Sequence, residues 1–114
     1  MMAARRVEIY LVNFGTPRGS EQAGKQPALV IQNDIGNESS PTTIVAGITS
    51  KIKQPYPFHV EVSSAESGLP QDSTILLEQI LTIAQDRLLQ RCGRLSSDKM
   101  REVDRALTYS LGMM

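Results

Sequence analysis

Apolar residues recur with a period of two near the start and the middle of this chain, and helical spacing appears only near its end. Val7, Ile9, Leu11 and Asn13 alternate with Glu8, Tyr10 and Val12 as far as Gly15-Thr16-Pro17, which predicts a first strand. Phe58-His59-Val60-Glu61-Val62 alternates the same way, so Val60 faces opposite to His59 and Glu61. Ala28 to Gln32 is a continuous apolar run preceded by Pro27 and ended by Asp34, Gly36 and Asn37, and it reads as a buried strand. Thr43 to Ile48 is β-branched and apolar, another strand, and Ile75 to Ile83 is a fifth candidate. Ser96 or Ser97 can cap a terminal helix with Met100, Val103, Leu107 and Leu111 on its inner face. Asp98 would then favour the helix dipole from the first turn, with Arg101, Glu102 and Arg105 beside it on the wet side. Five or six short strands, long loops and one C-terminal helix predict a mainly β fold, a small and strongly bent antiparallel barrel.

The connections carry information too. Residues 15–26 hold three Gly and a Pro, too many turn formers for regular structure and too many residues for a hairpin turn; loops of this length are often functional. Asn33 to Pro41 reads as a second polar loop, and Pro55 and Pro57 disfavour both helix and central strand from Lys51 to Pro57. At 114 residues, with no internal repeat, the chain is expected to form one domain over 1–114, burying roughly two-thirds of its unfolded surface.

Twelve basic and twelve acidic residues cancel, so no global field draws the protein onto nucleic acid and any such binding must be local. Six of the basic residues (Arg5, Arg6, Arg18, Lys25, Lys51 and Lys53) lie in residues 1–55 against four acids, a weak asymmetry toward the N-terminal half. The lone Cys92 excludes an intrachain disulfide, leaves too few thiols for a zinc site, and reads as a small core hydrophobe. Met1 to Arg6 lacks the roughly 7–15-residue apolar run of a signal peptide, and no stretch approaches the roughly 18 apolar residues of a membrane span. A cytoplasmic protein is expected.

Three segments look like one known signature: Gly19-Ser20-Glu21-Gln22 leading into Pro27-Ala28-Leu29-Val30-Ile31-Gln32-Asn33-Asp34, then Thr42 to Ser50, then Leu76-Leu77-Glu78-Gln79-Ile80. With Met100 to Leu107 they make residues 6 to 111 resemble the MazF/PemK toxins, the mRNA interferases of bacterial toxin–antitoxin pairs. That resemblance implies an SH3-like barrel, a homodimer, an antitoxin partner of the MazE kind and single-stranded RNA as substrate. It implies a sequence-selective, metal-independent endoribonuclease with no cofactor, leaving a 2′,3′-cyclic phosphate and a 5′-hydroxyl.

Such cleavage requires deprotonating a 2′-hydroxyl, stabilising a doubly charged phosphorane and protonating the leaving oxygen. The family meets the middle need with a loop arginine and a threonine at the end of the third strand. Thr49 matches the threonine, although a threonine at a strand end is often simply a β-former. Gln26 stands at the arginine position; its amide donates hydrogen bonds but brings no charge, a loss worth about 10² to 10⁴ in rate. Lys25, one residue earlier, can substitute only if the loop lets it swing in, because neighbours on a strand point to opposite faces.

By the same resemblance Arg6, Ser20, Glu21, Gln22 and Asn33 are candidates for binding RNA or shaping the active loop. Glu78 and Gln79 can read the edges of splayed bases, or simply form an exposed strand pair. The family often continues with Arg-Thr-Ile-Asp where this chain has Leu81-Thr82-Ile83-Ala84, losing a cation and an acid. Tyr56 can stack on a base or plug its loop. His59 has no second histidine to form a ribonuclease pair and reads as structural or surface-lying, while Asp34 and Glu38 lack the ligand spacing of a calcium loop. Two alternatives stand beside the nuclease: a module of the same fold that grips antitoxin or RNA without cutting, and a gyrase poison. The latter would carry a terminal Trp-Gly-Ile, whereas this chain has no Trp.

Overall fold

The computed structural model describes residues 3–15, 24–51 and 55–113. Six strands form one antiparallel sheet: β1 (Glu8–Asn13), β2 (Lys25–Val30), β3 (Thr42–Thr49), β4 (His59–Val62), β5 (Ser73–Ala84) and β6 (Leu88–Arg94), in the order β4-β5-β3-β2-β1-β6. The helices are α1 (Asp34–Ser39), α2 (Ser64–Ser67) and α3 (Ser97–Ser110). The mainly β fold with a C-terminal helix is therefore present, with β6 filling a region to which no element had been assigned.

A sheet of six short strands would leave two edges open, and bending removes them. The turn α2 follows directly on β4, at one edge, and meets β6, at the other. Gly68 and Gly93 make the meeting possible: a Cβ on Gly68 would stand 2.2 Å from the Cys92 carbonyl oxygen, and one on Gly93 2.3 Å from that of Ser67. Backbone therefore touches backbone, and the bent sheet closes into a barrel-like shell.

The main core lies inside this shell, where Ile9, Leu29, Ile48, Ile75 and Leu77 are fully buried and α3 contributes Met100, Val103 and Ala106. Ser96 caps α3, its hydroxyl accepting from the Lys99 amide at 3.2 Å. Leu111, expected on the inner face, lies beyond the helix end and is exposed, because the helix stops at Ser110. Val12, Ala28, Val30, Val45 and Ile83 form a second cluster with Tyr10 packed against it, so β1 is buried on both sides rather than half wet.

The expected loop over Asn33 to Pro41 is in fact the helix α1, and a buried asparagine explains it. Asn33 caps it, accepting from the Gly36 amide at 2.8 Å. Asn37 turns inward: its Oδ1 accepts from the Thr43 hydroxyl at 2.6 Å and from Gln32 Nε2 at 3.0 Å, and its Nδ2 donates to the Gln32 carbonyl at 3.0 Å. Gln85 Nε2 donates to the Asn37 and Ser40 carbonyls, pinning the helix to the end of β5. A polar composition here marks a satisfied buried network rather than solvent.

Candidate functional site

Gln26 enters the structure as a strand residue. β2 begins at Lys25, two residues before the proline, and Gln26 pairs across to Val12 while Leu11 pairs with Pro27 on one side and Gln90 on the other. β2 and β3 pair Ala28 with Gly47 and Leu29 with Ala46; continuing that register sets Gln26 level with Thr49. Both line an open cleft of about 700 Å³, walled also by Leu11, Pro27, Lys51, the segment 68–71, Gln90, Arg91 and Cys92. Cys92 is thus half-buried on the cleft wall as well as packed on the core edge.

Lys51 and Arg91 lie on that wall, and among the described residues lining it there is no carboxylate. Arg91 pairs with the Glu8 carboxylate at 3.1 Å, so its charge is offset beside the cleft, and Lys51 is the other cation on the wall. The Thr49 Oγ1 accepts from the Lys51 amide at 3.2 Å, which fixes the strand end while leaving the hydroxyl proton to donate. Lys25 lies on the strand face opposite to that of Gln26 and is not among the residues that line the cleft.

The other candidates lie outside this lining. Arg6 donates from Nε to the Ile31 carbonyl at 3.0 Å and pairs with Asp104, while its amide donates to Asp34 Oδ1 at 2.7 Å, tying β2, α1 and α3 together. Asn33 is the α1 cap. Glu78 and Gln79 occupy an irregularity of β5: Ala46 pairs with Ile80 but Gly47 with Leu76, so both fall in a break of the ladder beside the fully buried Leu77. Glu78 reaches His59, whose Nε2 lies 2.9 Å from its Oε2 and whose side chain is only 5% exposed, a structural position. Tyr56 stacks on Phe58 with ring centroids 5.1 Å apart, yet stays half exposed. Ser20, Glu21 and Gln22 lie outside the described residues.

Arg91 was not singled out from the sequence. The signal available was Gly93, a glycine within a strand, which marks a bulge or a close backbone approach. Among the described residues no three His, Cys, Asp or Glu side chains converge as metal ligands, and no helix is long and apolar enough to cross a membrane.

Residues 5–111 match the family described as the PemK-like, MazF-like toxin of type II toxin–antitoxin systems. Endoribonuclease MazF of Staphylococcus saprophyticus is 47% identical over 110 residues, covering 96% of this chain and 92% of that protein. The fold resembles that of crystalline MazF from Deinococcus radiodurans, with a TM-score of 0.84 at 24% identity over 99% of this chain and all of that one. It also resembles a mycobacterial endoribonuclease solved in complex with its cognate antitoxin, with a TM-score of 0.82 at 20% identity over 98% of each chain. With the family match running from β1 through α3, this chain belongs to the PemK-like, MazF-like toxins.

Proposed function

We propose that this chain is an endoribonuclease toxin that cuts single-stranded mRNA at a short sequence, without a metal, in the cleft between β2, β3 and β6. The observation that carries the reading is the placement of Thr49 level with Gln26 on the wall of a cleft that Lys51 also lines and that has no lining carboxylate among the described residues. In the reaction a ribose 2′-oxygen attacks phosphorus as its proton leaves, and the bond to the 5′-oxygen breaks as that oxygen gains a proton. The products are a 2′,3′-cyclic phosphate and a 5′-hydroxyl, with no net gain or loss of protons. Thr49 donates to a non-bridging oxygen as charge grows there, and the Gln26 amide adds a neutral hydrogen bond. Tyr56, Glu78 and Gln79 are proposed to meet bases outside the cleft, and Arg6 and Asn33 to hold the surrounding framework.

The family resemblance extends the proposal to a homodimer acting in the cytoplasm and held inactive by a MazE-like antitoxin. An acidic, disordered antitoxin tail suits a cleft lined by Lys51 and, among the described residues, by no carboxylate, and would compete with RNA for it.

The test is cleavage of a long single-stranded RNA in EDTA, with mapped ends, by the unmodified chain, Thr49→Ala and Gln26→Arg. Cutting at a fixed short sequence, reduced about 10²- to 10³-fold by Thr49→Ala, supports the enzyme. Cutting by Gln26→Arg alone would instead favour the binding module, an intact scaffold with its charge removed. Silence from all three would refute the nuclease.

A further inference from the structure

An unpaired base is told from the others by the donors and acceptors on its edge, so a protein that cuts at a short sequence needs fixed partners for such an edge. We propose that Glu78 is one of them: its carboxylate, oriented by His59, accepts from the exocyclic amine of an adenine, cytosine or guanine and disfavours uracil. Uracil has no amine, and its N3–H donor is flanked by two carbonyl oxygens that a carboxylate repels. The inference rests on the ribonuclease reading above and names a base chemistry that it selects.

Strand alternation places Glu78 on the sheet face that carries Thr49. Ile75 and Leu77 are fully buried in the main core, so Thr74, Leu76 and Glu78 point the other way. Thr49 pairs with Thr74, which puts it on that second face, and Glu78 follows four residues later, about 13 Å along β5. A few nucleotides of an extended strand cross that distance. Because the ladder to β3 breaks between Leu76 and Ile80, Glu78 has no partner residue on β3, and its side chain is 37% exposed.

His59 supplies the orientation. It pairs with Leu76 across β4 and β5, which makes Glu78 its diagonal neighbour on the same face. Its Nε2 lies 2.9 Å from Glu78 Oε2, and since a carboxylate only accepts, the proton of this bond sits on Nε2. The imidazole is held in turn: its side chain is 5% exposed, and the rings of Phe58 and Tyr56 meet it in T-shaped contacts with centroids 4.9 and 5.4 Å away. Among the described residues no other group bonds the Glu78 carboxylate, so Oε1 is left to accept from a base. An acceptor fixed in this way loses less side-chain freedom on binding than an unanchored one. His59 is therefore a positioning residue, acting on the base through Glu78.

The experiment is cleavage of a long RNA of randomised sequence by the unmodified chain, Glu78→Gln, His59→Phe and His59→Gln, with the base frequencies around the mapped cut sites counted and urea denaturation of each variant. For the unmodified chain one position near the cut should disfavour uracil at least about fivefold. Glu78→Gln, whose amide can donate to a uracil carbonyl, should raise uracil at that position alone. His59→Phe, a ring without a donor, should weaken the same preference, and His59→Gln, which keeps an N–H, should restore most of it. A merely structural His59 would lower cutting at every site together and leave the base frequencies alone. Unchanged frequencies in folded Glu78→Gln overturn this inference, and an intact preference in folded His59→Phe overturns the positioning role. If His59→Phe unfolds, Glu78→Gln and His59→Gln carry the same expectations. Should cutting need Gln26→Arg, the variants built on it carry them too, whereas no cutting by the unmodified chain or by Gln26→Arg overturns the nuclease itself.

Discussion

Replacing Gly68 by alanine tests how the barrel closes. Gly68 ends α2 in the left-handed region at φ 77°, where a side chain costs about 1–2 kcal/mol. Its new Cβ would also lie 2.2 Å from the Cys92 carbonyl oxygen and 3.0 Å from the carbonyl carbon, so α2 and β6 must separate by about 1 Å to restore contact distance. Relieving an overpacked contact costs about 1–3 kcal/mol, which brings the expected loss to about 2–5 kcal/mol. Two other glycines separate the contributions. Gly93→Ala makes the reciprocal clash, at 2.3 Å from the Ser67 oxygen, without a left-handed φ and should cost about 1–3 kcal/mol. Gly24→Ala has φ 67° but no atom within 4 Å of its Cβ and should cost about 1–2 kcal/mol. Urea denaturation of the three variants gives the ranking Gly68→Ala above both others. If Gly68→Ala and Gly93→Ala both fall within about 0.5 kcal/mol of the unmodified chain, β6 is not held by this contact and the closure argument is wrong.

Two more predictions concern the framework. Asn37→Ala strips the buried Thr43 hydroxyl of its acceptor and the Gln32 carbonyl of a donor. At about 1–3 kcal/mol for each of the two groups left unpaired, it should cost about 2–6 kcal/mol in denaturant; a loss below about 1 kcal/mol would show the network to be dispensable. Acid should weaken the fold through Asp34, lowered first by the Arg6 amide, and Glu66, lowered first by the Ser63 amide. Folded values lowered below the unfolded ones mean a stabilisation complete above the ordinary carboxylate range, about pH 4, and lost as pH falls through the lowered values. Melting temperatures of Asp34→Asn/Glu66→Gln should therefore fall less steeply across that range than those of the unmodified chain, and parallel curves would refute the assignment.

Local pattern was enough to place most elements. Alternation placed β1 and β4, a β-branched run placed β3, the fifth candidate Ile75 to Ile83 lies within β5, and a serine cap placed α3 at its observed start. The short helices were harder. α2 carries a complete capping box, Ser63 with Glu66, but spans too few residues to show apolar periodicity, and Gly36 in the middle of α1 disguised a helix as a loop.

For the site, the sequence by itself determined Thr49 at a strand end and a neutral residue at Gln26. Tertiary structure decided which residues share a cleft with them. Lys25 is adjacent to Gln26 in the chain yet does not line the cleft, whereas residues 90–92, far along the chain, do so through the ladder of β1 and β6. The physical reason is range. Periodicity and capping depend on residues a few positions apart, but a bulge at Cys92 and a backbone contact between Gly68 and Gly93 exist only once distant strands have paired.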